Sequence, residues 1–373
     1  MSKRLRMVAT AAVAVLGFGL ATTGCGKNDD DAGGAGGTEQ AAASADGKSY
    51  VSFATAPDPV WDSMKRNGAI AKMGEEEGVN VTQLTSFDEF GLFAGGHADI
   101  VSTGSYETPL FDQNGVETVT FGKYNMNKEQ MFVANPDYKS TKDFPPGCKV
   151  GVLSTTGVFY IWQPLIEAID GRKMTENPES DTDLPVLTAE EAVLPTLLEK
   201  GEICGAIYNP FSEAFVNDTR TGKIHPMYDG KSGSQLFAEK FSPGHDGVNS
   251  NMFVARKQWF DTHHKEVAAF LKLWQGGVDN YFATRNDFIM EAPDDWGITQ
   301  PGDEKFVFGL LDKWDFTNKS MYLDEEWINE EKKVFDLAKK GGVFKEDQYF
   351  PEHAVIDPST GEVTATVGGK DSE

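Results

Sequence analysis

A set of hydroxyl, amide and aromatic residues in this chain suits the capture of a small polar molecule. They fall in four groups: Thr55 and Trp61; Thr103, Ser105 and Tyr106; Ser154, Thr155, Thr156 and Tyr160; and Tyr208 and Asn209. Each group follows a short apolar run. The hydroxyls and the amide suit an oxyanion or an amide group, and the rings suit an apolar or planar body. Catalysis asks in addition for a positioned base or nucleophile. Glu107 and His245, with Asp246 beside it, are the residues to check for that role, and no Gly-x-Ser-x-Gly elbow accompanies them. No catalytic residue, cofactor or metal ligand is assigned.

The elements that must position these groups can be read around the stretch Cys148 to Trp162. Lys149 to Leu153 is a short β-branched run, as in a buried parallel strand. Ser154-Thr-Thr-Gly157 then leads into an aromatic-rich helix from Val158 to Ile169. A loop between a strand's carboxyl end and a helix's amino end points free N–H groups at whatever sits there, which suits an anion or polar acceptor. In open α/β sheets that is also where ligands bind. The same grammar occurs upstream. Strands are expected at Tyr50–Thr55, Asn80–Ser86, Ala98–Thr103, Val116–Tyr124 and Gln130–Ala134. A helix from Pro59 to Glu77 and a short one over Phe87–Gly95 lie among them. The chain then crosses near Asn135-Pro-Asp. After Lys149 the order restarts with strands at Leu184–Leu187 and Gly205–Tyr208, and a returning strand ends at Ala255. Beyond Lys257 the apolar positions recur at three and four, predicting helices over Trp259–Phe282, Asp303–Trp314 and Asp324–Lys340. Ala354–Val367 reads as a hairpin or a tail.

Other motifs fail on chemistry. Gly230-Lys-Ser232 echoes a phosphate loop, but His225 stands where the first glycine is needed. Asp261-Thr-His-His264 offers metal donors, yet adjacent histidines do not share a helix face. Glu190 and Glu191 read as a helix start.

The formal charge of −24 disfavours nucleic acid, which needs clustered lysine and arginine. Lys3, Arg4 and Arg6, the apolar run Met7–Leu20 and the small residues up to Cys25 make an export signal. Gly26–Lys48 has no hydrophobic period and reads as a solvated tether. The remaining cysteines, Cys148 and Cys204, each precede an expected strand. In a lobe of strand order 2-1-3 those strands are neighbours, so a disulfide between them is expected; two separate buried thiols are the alternative.

Gly24-Cys25 resembles a bacterial lipoprotein processing box, with Thr22 where leucine is usual. Three further segments carry a wider resemblance: Gly96-His-Ala-Asp-Ile-Val-Ser-Thr-Gly104, Phe144-Pro-Pro-Gly-Cys-Lys-Val-Gly151, and Gly201 to Pro210. Together they resemble the substrate-binding lipoproteins of ABC importers of the nitrate/sulfonate/taurine type, including their thiamine-precursor-binding relatives. Gly205 and Asn209 depart from that pattern, where Asp and Glu are usual. The resemblance implies a two-lobed α/β periplasmic-binding-protein fold of type II, with the ligand cleft between the lobes and a helical C-terminal third packed on the first lobe. The implied layout is a signal peptide over 1–24, a tether over 25–48, the first lobe over 49–134 and 249–353, the second lobe over 135–248, and a tail or hairpin over 354–373. It also implies acylation at Cys25, a lipid-anchored monomer on the outer face of the membrane, hinge closure near Asn135 and Asn249, and a membrane permease as partner. The ligand expected is a small organic anion, a sulfonate or aromatic carboxylate. A pyrimidine-type thiamine precursor is the alternative within this class, and an exported enzyme on a related fold is the alternative outside it.

Overall fold

The computed structural model describes residues 47–86, 88–153, 157–243 and 247–370. Two sheets organise them. In the first, β1 (Ser49–Thr55) lies parallel to β2 (Val79–Thr85) and β3 (Ile100–Thr103). The strand β11 (Asn249–Arg256) runs antiparallel between β3 and β4 (Thr118–Met126). A hairpin of β12 (Glu352–Ile356) and β13 (Val363–Val367) extends the sheet beyond β4, giving the order β13-β12-β4-β11-β3-β1-β2. The second sheet has the order β10-β5-β9-β6-β8-β7. Its centre is β5 (Gln130–Val133), β9 (Gly205–Tyr208), β6 (Val150–Val152) and β8 (Leu184–Thr188), and β7 (Met174–Thr175) and β10 (His225–Pro226) form its edges.

The first crossing between lobes comes earlier than Asn135. Because β5 pairs with β9, it belongs to the second sheet, and the chain crosses over at Asn127-Lys128-Glu129. It returns through the segment before Asn249. The crossings are bonded to each other, Asn127 N–H donating to the Val248 carbonyl at 2.7 Å. Gly247 adopts φ +96 against Ser234, a conformation and a closeness that a side chain would oppose.

The helix expected from Pro59 to Glu77 is two helices, α1 (Pro59–Arg66) and α2 (Ala69–Glu76). Asn67-Gly68 breaks it, with Gly68 at φ +81. The short helices α3 (Glu89–Ala94) and α4 (Thr108–Gln113) follow β2 and β3. After β6, a π turn over Val158–Trp162 precedes α5 (Gln163–Asp170), so the expected single helix begins wider than an α-helix. The second lobe is completed by α6 (Leu194–Glu199), α7 (Glu213–Thr221) and α8 (Gly233–Phe241). The C-terminal helices are α9 (Lys257–Phe260), α10 (His264–Glu291), α11 (Asp303–Lys313) and α12 (Glu325–Lys340).

The central strands of each sheet, β3 and β4 in the first and β5, β6 and β9 in the second, are buried because both faces are covered there. On one face of the first sheet, Phe53, Trp61, Phe253, Phe270 and Trp274 form an aromatic core, with Phe53–Phe270 centroids 5.0 Å apart. On the other face, α12 contributes Trp327, Ile328 and Phe335 to a core that continues into the second lobe through Val150, Trp162 and Leu165. The C-terminal third thus packs on the first lobe, and its segment after α12 also reaches the second, where Phe344 meets Tyr160 at 5.6 Å. Cys148 and Cys204 are bonded, their Cα atoms 5.8 Å apart, a distance that the adjacency of β6 and β9 permits.

Candidate functional site

The turn after β1 builds one wall of the cleft between the lobes. Asp58 caps α1: its carboxylate accepts the Trp61 N–H at 2.9 Å and the Tyr124 hydroxyl at 3.2 Å. Burial pushes Asp58 up to about 6, despite those hydrogen bonds and the nearby Lys128 charge. Loss of water likewise pushes the Lys128 ammonium down to about 8, against the pull of Asp58 and Glu129. That ammonium lies 4.3 Å from the centre of the Phe316 ring. These residues enclose a cavity of about 340 Å³, whose walls include Thr55, Asn125, Asn251, Tyr281 and Trp296. Phe211 also lines it and follows β9 in the second lobe, so both lobes contribute to its walls.

The turn after β3 forms a second part of the cleft. Thr103 donates its hydroxyl to the Glu107 carboxylate, which also accepts the Gly104 N–H at 2.9 Å. The Ser105 hydroxyl donates to the Asn249 carbonyl at 3.2 Å, tying this loop to the second crossing. The Tyr106 ring fills the gap between lobes. A Cβ on Gly104 would stand 2.5 Å from it, and one on Gly157 would stand 3.3 Å from it. Tyr160 continues the stack at 5.8 Å from Tyr106. Burial holds the phenols of Tyr106 and Tyr160 protonated. Glu107, Glu129 and Glu89 reinforce this for Tyr106, and Glu331 does so for Tyr160.

Across the cleft, the Tyr208 ring stacks on Phe215 at 5.0 Å while its hydroxyl bonds to Glu191. Asn209 uses its side-chain oxygen locally, accepting the Phe211 N–H at 3.0 Å. Ser154, Thr155, Thr156, His245, Asp246 and Cys25 lie outside the described residues.

The structure therefore brings Thr55 to the cavity and Thr103, Ser105, Tyr106 and Tyr160 to one neighbouring loop cluster. Trp61 is corrected: its side chain is 1% exposed and packs against Phe53 and Trp274 in the core, so only its backbone serves the site. The free N–H donors expected from the first lobe are also corrected. The Trp61 and Gly104 N–H groups already bond to Asp58 and Glu107. Sequence reasoning missed Asp58, Lys128, Glu129 and Glu191. Asp58 carried a usable signal as the N-cap ahead of Pro59. A crossing expected at Asn135 leaves the pair Lys128-Glu129 inside the first lobe and so hides it.

Two α/β sheets joined by two crossings, each with a strand returning antiparallel and a cavity between them, define the architecture. This is a periplasmic-binding-protein fold of type II. Solved structures of that fold superpose on most of the chain at low identity. The aliphatic sulphonate binding protein SsuA of Escherichia coli matches with a TM-score of 0.60 and 13% identity, over 87% of this chain and 95% of that one. The alkanesulfonate-binding protein SsuA of Xanthomonas axonopodis pv. citri, bound to MOPS, matches with a TM-score of 0.59 and 12% identity, over 79% and 93%. A Candida albicans protein described as having the generic periplasmic binding protein fold matches with a TM-score of 0.54 and 11% identity, over 80% and 92%. No family model and no curated protein matches the chain. Among its described residues, no helix is long and apolar enough to cross a membrane.

Proposed function

We propose that this chain is the extracytoplasmic solute-binding protein of an ABC uptake system, capturing a small molecule between its lobes and delivering it to a membrane permease. The observation that carries this reading is the cavity at the end of β1, which is walled by the first lobe, by the crossing residue Lys128 and by Phe211 of the second lobe. A ligand there touches both lobes at once and so favours the closed form over any open one. Glu107, the described carboxylate nearest a catalytic role, is already held by Thr103 and Gly104, which suits a binding wall better than a base. Acylation at Cys25 and the tether over 26–48 would keep the lobes close to the permease.

The fold neighbours are named for sulfonates and one is bound to MOPS, which makes an organic anion the first class to test, with Lys128 the one cation lining the cavity to face it. The test of the function itself does not depend on charge. Thermal unfolding of the mature protein against sulfonates, aromatic carboxylates, pyrimidines and amines should show one class shifting the midpoint by a few degrees. At about a hundred times its dissociation constant, a ligand stabilises by roughly 2.7 kcal/mol. X-ray scattering with that ligand should show a fall in radius of gyration or no opening. No shift with any class would remove the solute-binding reading.

A further inference from the structure

The charge inside the cavity runs opposite to the neighbours' cargo. Asp58, Asp62 and Asp295 line it, against the single cation Lys128. Asp58 is not neutralised by an ion pair within the described residues; its partners are a backbone N–H and a phenol. The Asn125 side chain, 9% exposed, also lines the cavity, and its Oδ1 is a buried acceptor with no hydrogen-bond partner among the described residues. An orphaned acceptor beside a carboxylate calls for a donor that carries positive charge. Lys128 shows that an aromatic wall of this cavity already receives an ammonium, since its own lies over Phe316. Tyr281 and Trp296 give the same wall further ring surface.

We propose that the cavity binds an organic ammonium ion bearing N–H groups, with its charge on Asp58, an N–H donated to Asn125 Oδ1 and its carbon body against the aromatic wall. This rests on the solute-binding reading and names the ligand class for it. The unpaired acceptor distinguishes a primary or secondary amine from a quaternary one, which has no proton to give. A sulfonate would meet three carboxylates and one lysine.

Calorimetric titration of the whole mature protein with butylammonium, phenethylammonium, tetramethylammonium, butanesulfonate and benzoate tests it. The two N–H amines should bind, tetramethylammonium should bind at least tenfold more weakly, and the two anions should not bind. Asp58 faces Tyr124 and Lys128 and shares the cavity with Asp62, Tyr281 and Asp295. Its carboxylate titrates near 6, so amine affinity should fall as pH drops through that value, by up to about tenfold per pH unit below it. Asp58→Asn should lower amine affinity tenfold or more. Because Asp58 also caps α1, Lys128→Met supplies a variant that leaves the cap intact. It should tighten amine binding by removing a like charge, and would weaken an anion. Binding of butanesulfonate that Lys128→Met abolishes, with none of either N–H amine, would overturn the cation assignment and leave the solute-binding reading standing. Absence of binding by both N–H amines would overturn the cation assignment, and the solute-binding reading falls with it only if the thermal panel, pyrimidines included, also shows no shift.

Discussion

At the residue scale, the cleft is shaped by close approach and by buried charge. Gly104 is the clearest case of the first. With the Tyr106 ring 2.5 Å from its Cβ position, Gly104→Ala should displace that ring. The expected cost is about 1–3 kcal/mol in urea unfolding, with a weakened ligand response because Tyr106 spans the lobes. Glu331 illustrates the second. It sits on α12 fully buried, and burial pushes it up to about 7, partly offset by the Ser105 hydroxyl and Lys123. A carboxyl raised in the folded state contributes stability that is fully present below its unfolded value and is lost as pH rises through 7. Glu331→Gln should flatten that loss, narrowing the stability difference between pH 5 and pH 8 by roughly 2–4 kcal/mol relative to the parent. If parent and variant share one pH profile, Glu331 is not the titrating group. Neither residue stood out in the sequence. Gly104 was visible as a turn glycine, but the ring that needs its missing side chain arrives through the fold. Glu331 lies in the charged run Glu330-Glu-Lys-Lys333, and nothing in that run marks which residue the fold buries.

At the element scale, strands were the most legible feature, because β-branched runs bounded by turn residues leave little choice. The strand Gly205–Tyr208 was read at its observed bounds, and the cysteine pairing followed from the 2-1-3 order of β8, β6 and β9. That bond closes a long loop, 56 residues apart in sequence. Reducing it, or replacing both cysteines with serine, should cost about 2–5 kcal/mol, read from urea unfolding with and without reductant. Helices were less legible where one residue interrupts a good pattern. Asn67-Gly68 splits α1 from α2 although the apolar spacing continues through it, since a left-handed glycine ends a helix that the hydrophobic period alone would prolong. The π turn before α5 carries no sequence signature of its own. The crossing at Asn127-Lys128-Glu129 was misplaced because β4 and β5 look like one hairpin until β5 is seen to pair with β9.

At the scale of the whole molecule, the lobes are held together along one rim by side chains as well as by any ligand. Arg220 of α7 meets Asp303 of α11 at 2.6 Å, with Asp303 fully buried, and Thr299 donates to Glu213 at 3.1 Å beside it. Phe211 packs on Trp296 at 5.9 Å and on Phe316 at 5.3 Å nearby. Arg220→Ala leaves Asp303 buried without its cation and should weaken the closed form by about 1–3 kcal/mol. The expected readout is a larger radius of gyration without ligand and its recovery on adding one; an unchanged radius would show that the rim does not hold the lobes. This clasp bears on how faithfully shape reports cargo. The more of the closing energy the protein's own side chains supply, the less a ligand must supply, and the tighter its apparent binding. The same gain lets vacant molecules adopt the loaded outline. A receptor that recognises outline alone would then be visited by empty carriers, and loosening Arg220 would exchange affinity for honesty of signal.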